Sequence, residues 1–120
     1  MVRALLSIGL LLAGISQSQS LNPATVDSGH YKEQKSLGAN VLRATFGPHE
    51  KSPLLSEPER FIVCLSWVNI RLTAQNGVYG EVMCKTGAVL RLQAGTHRVE
   101  NMGDEAAEFL TIEANGSTKP

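Results

Sequence analysis

The sequence contains few of the residues on which several protein classes depend. It has two cysteines, three histidines, one tryptophan, two tyrosines and three phenylalanines among 120 residues. Lysine and arginine together number 11, as do aspartate and glutamate, so the formal net charge is zero. Because no basic stripe is present, the chain has no strong field to attract nucleic acid or an anionic membrane surface.

Familiar catalytic motifs are also missing. The chain has no G-x-S-x-G, no P-loop and no C-x-x-C, and it shows no internal repeat, heptad pattern or long helical pattern. These absences give no support to a serine hydrolase, a P-loop nucleotidase, a dithiol oxidoreductase or a coiled coil. A pair of inward carboxylates of the glycosidase type is not evident either.

The N-terminal segment has the three-part layout of a secretory signal peptide. A short basic start, an uncharged apolar run and small residues follow one another at Met1–Arg3, at Ala4–Ile15 and at Ser16, Ser18 and Ser20. The apolar run is shorter than the about 20 residues with which a helix spans a bilayer. We therefore expect cleavage of residues 1–20, with a secreted or periplasmic domain over residues 21–120 and no membrane contact after cleavage. An uncleaved anchor is the alternative.

In the rest of the chain, turn-forming residues separate short apolar segments, as they do in an all-β protein. Eleven glycines and five prolines separate short apolar runs, which is typical of many short strands. We predict strands at Tyr31–Gln34, Asn40–Phe46, Phe61–Ser66, Val68–Ala74, Val78–Lys85, Ala88–Leu92, His97–Glu100 and Phe109–Glu113. Residues 47–60 hold three of the prolines and should be mostly loop with a short extended piece. Phe61–Ser66 is nearly continuously apolar, as in a strand buried on both faces.

The two cysteines have two interpretations. Cys64 and Cys84 could form a disulfide in an oxidising compartment. Asn76-Gly77 is a two-residue hairpin signal, and in that register Cys84 faces Asn69 while Cys64 points to the other face. Since a disulfide needs Cα atoms within about 7 Å, we favour two small buried hydrophobic residues over a bond.

Residues 87–101, GAVLRLQAGTHRVEN, carry the clearest motif. They resemble the second conserved motif of the cupin superfamily, G-x5-P-x-G-x2-H-x3-N, with Gly87, Gly95, His97 and Asn101 in the matching places. Gln93 stands where proline is usual, and the glycine-to-histidine gap is one residue shorter. Gly87, Gly95 and Asn101 are expected to be structural, with Asn101 holding its turn through side-chain to backbone hydrogen bonds.

Residues 47–66, GPHEKSPLLSEPERFIVCLS, look like the first cupin motif, H-x-H-x3,4-E-x6-G, mainly through its flanks. The segments His30–Lys32 and Val41–Pro48 add to the similarity with small single-domain cupins. The resemblance covers about residues 26–114. It implies one all-β domain, a double-stranded β-helix of the cupin or jelly-roll type, which is often a homodimer.

The resemblance also implies a place for a metal, and most ligands are missing from it. In the family, two histidines and a glutamate of the first motif and one histidine of the second point into the barrel. Here Leu55 and Glu57 occupy the H-x-H places, while Phe61 and Ile62 stand where the carboxylate is expected. His97 remains, with Glu57 as a substitute carboxylate, whereas a catalytic metal usually has about three protein ligands. We expect no cofactor, or else a weakly held Fe, Mn, Ni or Zn ion on His97 and Glu57.

Each candidate residue also has a structural interpretation. His97 could be a hydrogen-bonded structural residue, a metal ligand, or a group that binds an organic ligand or moves a proton. Glu57 is expected to be solvent-exposed; if it points inward, pairing with His97 would shift the pKa values of both. His49 could be a third ligand only if the proline loop folded inward, and its place matches a turn glycine in similar sequences. Trp67 should cap a barrel end or an interface.

Two function classes follow. The favoured one is a non-catalytic cupin-like domain that binds a small polar molecule weakly in the barrel cavity, at His97 and Glu57. The alternative is a metal-dependent cupin enzyme of the dioxygenase or isomerase type with a degenerate ligand set. A homodimer formed through edge strands is a further expectation.

Overall fold

The computed structural model describes residues 22–38 and 40–114, which form two antiparallel β-sheets around one apolar core. The elements in chain order are α1 (Pro23–Val26), β1 (Tyr31–Glu33), β2 (Val41–Phe46), β3 (Leu55–Glu57), β4 (Arg60–Cys64), β5 (Val68–Ala74), β6 (Tyr79–Cys84), β7 (Val89–Leu92), β8 (Gly95–Asn101) and β9 (Ala107–Glu113). The predicted signal segment, residues 1–20, lies outside the described residues. None of the described helices is long and apolar enough to cross a membrane.

The strand order is that of a jelly roll. The five-stranded sheet runs β1-β2-β9-β4-β7 and the four-stranded sheet runs β3-β8-β5-β6. After β2 the chain crosses repeatedly from one sheet to the other, so that the last strand, β9, pairs with both β2 and β4. The predicted all-β jelly-roll fold is therefore confirmed.

The core lies between the sheets and follows from the alternation of side chains along each strand. In β5, Val68 and Ile70 are buried while Asn69 and Arg71, which alternate with them, are partly exposed, as the alternating pattern predicts. The buried apolar side chains come from both sheets and include Tyr31, Ala44, Phe46, Leu55, Ile62, Cys64, Val68, Ile70, Cys84, Val99, Ala107 and Phe109. Phe46 stacks on Phe109 with ring centroids 6.3 Å apart and packs edge-on against Tyr31 at 5.8 Å.

Two strand predictions need correction. The short extended piece expected within residues 47–60 is the strand Leu55–Glu57, whereas the next strand begins at Arg60 rather than at Phe61. The prediction that Phe61–Ser66 is buried on both faces is wrong. Ile62 and Cys64 are buried while Phe61 and Val63 stay partly exposed, because only one face of β4 meets the other sheet.

The prediction that the cysteines stay unpaired is also wrong, since Cys64 and Cys84 form a disulfide with Cα atoms 6.2 Å apart. The hairpin loop is one residue longer than expected: Ala74 N donates to Val78 O, and Gly77 adopts a φ of 92°. More importantly, the chain bends at residues 65–67 and passes into the other sheet. The parity argument assumed one continuous strand, so it does not apply, and the disulfide joins β4 of one sheet to β6 of the other.

The N-terminal segment is tied to the barrel by His30. Its Nδ1 lies 2.9 Å from a carboxylate oxygen of Asp27 and its Nε2 lies 3.1 Å from Glu50. The imidazole also stacks on Phe46, with ring centroids 4.1 Å apart. These contacts place β1 against β2 and bring Tyr31 into the core.

Candidate functional site

The structure brings the two predicted site residues, His97 and Glu57, together inside the barrel. β8 pairs with β3 so that His97 lies opposite Leu55 and Glu57 lies opposite Gly95. Residues two apart on a strand share a face, and both side chains point inward, with exposures of 8% for His97 and 5% for Glu57. The prediction that Glu57 is solvent-exposed is therefore wrong.

Arg60, which the sequence analysis did not single out, lies between them. Its Nε is 2.6 Å from Oε1 of Glu57, and its Nη2 donates a hydrogen bond to Nε2 of His97 at 3.2 Å. Its Nη1 donates to the carbonyl oxygens of Pro58 and Gln93 at 3.3 and 3.2 Å. With an exposure of 4%, Arg60 is a buried cation whose neighbours all belong to this end of the barrel.

The local sequence explains why Arg60 points inward. It begins β4 and shares a face with Ile62 and Cys64, both fully buried. Its partner Glu57 ends β3 in the opposite sheet, and only two residues connect these strands. The connection therefore places a carboxylate from one sheet against a guanidinium from the other, which compensates the burial of both charges.

The arrangement defines the protonation state of His97. A guanidinium only donates hydrogen bonds, so Nε2 of His97 must accept and the neutral ring carries its proton on Nδ1. Burial, and then the nearby Arg60 cation, lower the pKa of His97 to about 4. The imidazole is therefore uncharged at neutral pH, and its inward lone pair is engaged by Arg60.

The pKa values of the Glu57 carboxyl group and of the Tyr31 phenol are also shifted. Burial raises the pKa of Glu57, and the Arg60 charge opposes that rise. Burial, followed by the charge of Glu57, raises the pKa of Tyr31 well above its usual value, so the phenol stays neutral. The causes of these shifts are burial and the charge of Arg60, and not the direct pairing of His97 with Glu57 that the sequence analysis considered, which would raise the pKa of His97 and lower that of Glu57.

One side of the cluster is incompletely satisfied. Oε2 of Glu57 is buried and has no hydrogen-bond partner, and the Nε–H of Arg60 is not aligned for a hydrogen bond despite its short distance to Oε1. Buried polar atoms are normally paired. This carboxylate oxygen is therefore the atom of the cluster that a small donor molecule would satisfy.

The donors present do not fit a divalent metal while Arg60 holds this position. Nε2 of His97 already accepts a hydrogen bond, and Glu57 is paired with a cation that would repel a second one. Within residues 22–38 and 40–114, no group of three or more His, Cys, Asp or Glu side chains is arranged to hold a metal ion. Coordination by His97 and Glu57 would require the guanidinium to move out.

His49 lies away from this cluster. Its side chain is exposed, and Nε2 is 2.9 Å from a carboxylate oxygen of Asp104. Its φ of 62° falls in the left-handed region that favours glycine. That conformation agrees with the turn glycine found at this place in similar sequences, and it removes His49 from the possible ligands of the interior.

Asn101, Gly87 and Gly95 of the second motif lie in turns or at the end of a strand. The buried Asn101 donates through Nδ2 to the carbonyl oxygens of Phe46, Gly47 and Glu105 at 3.2, 3.0 and 2.8 Å, and its Oδ1 accepts from Gly103 N at 2.9 Å. Gly87 adopts a φ of 87°, as a turn glycine does. Gly95 begins β8 opposite Glu57.

A signal for Arg60 was present in the sequence. Counting back by twos from Cys64 and Ile62 reaches Arg60, so a strand with one buried face places its side chain inside. The interpretation of β4 as buried on both faces hid this alternation. Arg60 also ends the proline-containing segment 47–60, which the sequence predicts to be mostly loop, so it was not assigned to a strand.

No family model matches the chain, and no curated protein matches it either. Among solved structures, it is similar to a cupin domain from Bordetella pertussis Tohama I, with a TM-score of 0.56 and 17% identity over 69% of this chain and 86% of that one. It is also similar to the CENP-C cupin domain of Drosophila melanogaster, with a TM-score of 0.49 and 15% identity over 69% of this chain and 64% of that one.

A third similar structure is an oxalate decarboxylase from Bacillus subtilis, with a TM-score of 0.47 and 25% identity. The match covers 65% of this chain but only 22% of that one, and the chain likewise spans less than two thirds of the CENP-C structure. The strand order and the Bordetella structure agree with the motif at residues 87–101. The chain therefore has the cupin fold.

Proposed function

We propose that this chain is a non-catalytic domain of the cupin fold that binds a small polar molecule in its barrel interior. The observation that carries the proposal is the position of Arg60. Its guanidinium lies between Glu57 and His97 and supplies the positive charge that balances the buried carboxylate. Because Arg60 already balances the charge of Glu57, no metal ion is required to neutralise that carboxylate.

The ligand belongs beside Glu57. Oε2 of Glu57 is buried without a partner, so a molecule with a small O–H or N–H donor would gain a charge-assisted hydrogen bond there. Binding should be weak, because the rest of the cluster is already paired within the chain. His97, neutral and held by Arg60, would orient the site rather than titrate in it.

The measurement that tests ligand binding is a nuclear magnetic resonance screen of small polar molecules against the disulfide-intact protein. We expect saturable amide shifts on β3 and β8 with a hydroxyl or amine compound, and their loss in Glu57→Gln. Shifts that are unchanged in Glu57→Gln, or that cluster elsewhere in the barrel, would count against this site.

A secreted or periplasmic location is part of the proposal. The disulfide between Cys64 and Cys84 supports it, because such bonds persist in oxidising compartments. The basic start, apolar run and small residues of the N-terminal segment support it independently. Fractionation of the source cells, with mass spectrometry of the mature N-terminus, tests both points; a protein retained in the cytoplasm with Met1 present would contradict them.

A homodimer is proposed as well. β6 and β7 each form an edge of their sheet, and exposed apolar side chains lie on or beside them at Val78, Tyr79, Met83 and Val89. Unpaired edges with apolar side chains favour pairing with a second copy. Light scattering over a range of concentrations decides this, and a monomer at every concentration would reject it.

The alternative, a metal-dependent enzyme, requires the guanidinium of Arg60 to leave. Incubation with iron, manganese, nickel or zinc, followed by elemental analysis, should leave wild type with far less than one ion per chain. Arg60→Met is the matched variant, since it removes the cation and keeps a buried side chain. Stoichiometric metal in wild type that is lost in His97→Ala would overturn the proposal and favour the metal-dependent alternative.

A further inference from the structure

The N-terminal strap, residues 22–33, contains α1 and β1 and lies along one edge of the five-stranded sheet. Its own hydrogen bonds join its two elements, because the amides of His30 and Tyr31 both donate to Asp27 O, at 3.1 and 3.0 Å. Lys32 adds a bond from Nζ to Ser28 O at 2.8 Å. We therefore expect α1 and β1 to move together.

The strap is attached to the barrel by few groups. Among the described strands β1 is three residues long and pairs with β2 alone, whereas β9 is paired on both sides. Within residues 22–33 the buried side chains are those of Pro23 and Tyr31. A short edge segment with few buried side chains opens at a lower free energy than the core strands do. The strap can therefore detach while the two sheets stay folded.

His30 supplies the polar attachment. Its Nδ1 faces the carboxylate of Asp27 within the strap, at 2.9 and 3.1 Å, and its Nε2 lies 3.1 Å from Oε1 of Glu50 on the barrel. Glu50 is held in place because the same oxygen accepts from Gly47 N at 2.7 Å. A charged imidazole donates from both ring nitrogens and a neutral one from a single nitrogen. Together with its stacking on Phe46, this one ring makes contacts of both kinds between strap and barrel.

The strap covers the end of the barrel that holds Glu57. α1 lies against β3, the strand that Glu57 ends. Burial raises the pKa of the Tyr31 phenol, the charge of Glu57 raises it further and the charge of Arg60 lowers it, so this ring lies close to the cluster. Glu57 and Arg60 are 5% and 4% exposed. A molecule from solvent therefore reaches them only when a segment that covers them moves.

We propose that the strap is a lid over the Glu57 site and that His30 is the latch that holds it closed. In the closed protein His30 bridges Asp27 and Glu50. When this bridge breaks, α1 and β1 leave β3 and β2 together, and the carboxylate of Glu57 becomes accessible. That the lid admits a ligand rests on the proposed function, whereas its opening is a property of the strap and is measured without a ligand.

Amide hydrogen exchange of the disulfide-intact protein, followed by nuclear magnetic resonance, measures the opening. The amides of Val26, Tyr31 and Thr45 are each bonded to a carbonyl oxygen of the strap. We expect them to share one protection factor, lower than that of the β9 amides. In His30→Leu, which keeps an apolar side chain against Phe46, this protection should fall about tenfold or more, because contacts with two charged groups are lost. Protection in β9 should not change.

Chemical labelling of Glu57 measures access to the site. A water-soluble carbodiimide activates the carboxyl group, glycinamide then forms an amide with it, and tandem mass spectrometry gives the rate at each carboxylate. In wild type, Glu57 should react far more slowly than the exposed Glu105. His30→Leu should raise the Glu57 rate by about tenfold and leave the Glu105 rate unchanged.

Glu50→Ala is the second variant and serves if His30→Leu does not fold. The Glu50 side chain is 54% exposed, and its removal breaks the contact with Nε2 of His30 while Asp27 stays in place. Both the strap exchange and the Glu57 labelling should then rise several-fold. The matched control is Asp104→Asn, which breaks a second histidine–carboxylate contact, with His49 at 2.9 Å, outside the strap. It should leave both rates unchanged.

Two results would overturn the proposal. Strap protection that is unchanged in folded His30→Leu or Glu50→Ala shows that His30 is not a latch. Faster strap exchange without faster labelling of Glu57 shows that the strap is not a lid.

Failure of the proposed function gives a different result. If Glu57 reacts faster in His30→Leu while no small polar molecule shifts the amides of β3 and β8, the lid stands and the ligand site is rejected. If such a molecule binds equally fast to wild type and to His30→Leu, the ligand site stands and the lid is rejected.

Discussion

At the scale of single residues, the barrel interior depends on one ion pair that joins the two sheets. Arg60 and Glu57 are both almost fully buried, with their closest charged atoms 2.6 Å apart. Removal of one member of such a pair leaves the other charge buried without compensation, which is more destabilising than the pair itself is stabilising.

We therefore expect Arg60→Met to lower the free energy of unfolding by about 3–5 kcal/mol. The double variant Arg60→Met with Glu57→Gln should recover a large part of this loss, since no charge then remains buried. The control is Arg91→Met, which breaks the exposed pair between Arg91 and Glu59 and should cost less than about 1 kcal/mol. Urea unfolding measures all three, and equal losses for Arg60→Met and Arg91→Met would contradict the account.

His97 should make stability depend on pH. Its pKa in the folded protein is about 4, below the ordinary value of 6.5, so the unfolded chain takes up the proton first. Stability is fully present above pH 6.5 and is lost as the pH falls towards 4. Because one pKa unit corresponds to about 1.4 kcal/mol and the ring is buried, we expect the loss to be about 2–4 kcal/mol.

Comparison with His97→Gln isolates this contribution. Glu57, whose pKa is raised, acts with the opposite sign: its burial penalty is relieved as the pH falls through its folded pKa. That effect is shared by wild type and variant, so the difference between their unfolding curves belongs to His97. Parallel curves for the two proteins between pH 7 and pH 4 would show that the imidazole is not held neutral.

At the scale of elements, the disulfide and the Asn101 turn fix how strands of different sheets meet. The disulfide closes a loop with a sequence separation of 20 and spans β4 and β6. Loss of such a crosslink through Cys64→Ala with Cys84→Ala should destabilise the protein by about 2–4 kcal/mol. Thermal unfolding of the variant beside reduced wild type measures it, and the two should agree; an unchanged midpoint would mean that the bond is not formed.

Asn101 supports three backbone carbonyl oxygens from two separate turns. Asn101→Ala leaves several buried groups unpaired and should cost about 2–4 kcal/mol. Asn76→Ala is the control, because Asn76 makes a single exposed bond to Val78 N at 3.0 Å and should cost less than about 1 kcal/mol. Chemical denaturation distinguishes the two, and similar losses would contradict the structural role of Asn101.

The elements also show where sequence reasoning succeeds. The strands were predictable because alternation and turn residues are local properties, and β5 matches the predicted Val68–Ala74 at both ends. The Asn101 turn was predictable because its hydrogen bonds follow from residue type and motif. The disulfide was not predictable in this way. It depends on the passage of the chain from one sheet to the other at residues 65–67, which no local sequence pattern indicates.

The candidate site was predictable only in part, for the same reason. His97 and Glu57 lie on neighbouring paired strands, as the motif indicates, but each contacts Arg60 rather than the other. Whether a glutamate can be buried depends on the partner it finds in three dimensions. That partner, Arg60, comes from the opposite sheet, and its contact with Glu57 exists only after the barrel has closed.

At the scale of the whole molecule, the two sheets are connected through their interior by a covalent bond and by an ion pair. We expect the folded protein to be insensitive to metal chelators. Its unfolding midpoint in EDTA should match the midpoint after addition of zinc or manganese, because the interior charge is already balanced by Arg60. A rise in the midpoint with metal that disappears in His97→Ala would show that an ion stabilises the native state.

Arg60 has a consequence for how such a protein meets its surroundings. A cation that is part of the polypeptide is present from the moment of synthesis. It cannot be removed by a chelator or exchanged for a competing metal ion. The charge that balances Glu57 is therefore set by the amino-acid sequence itself.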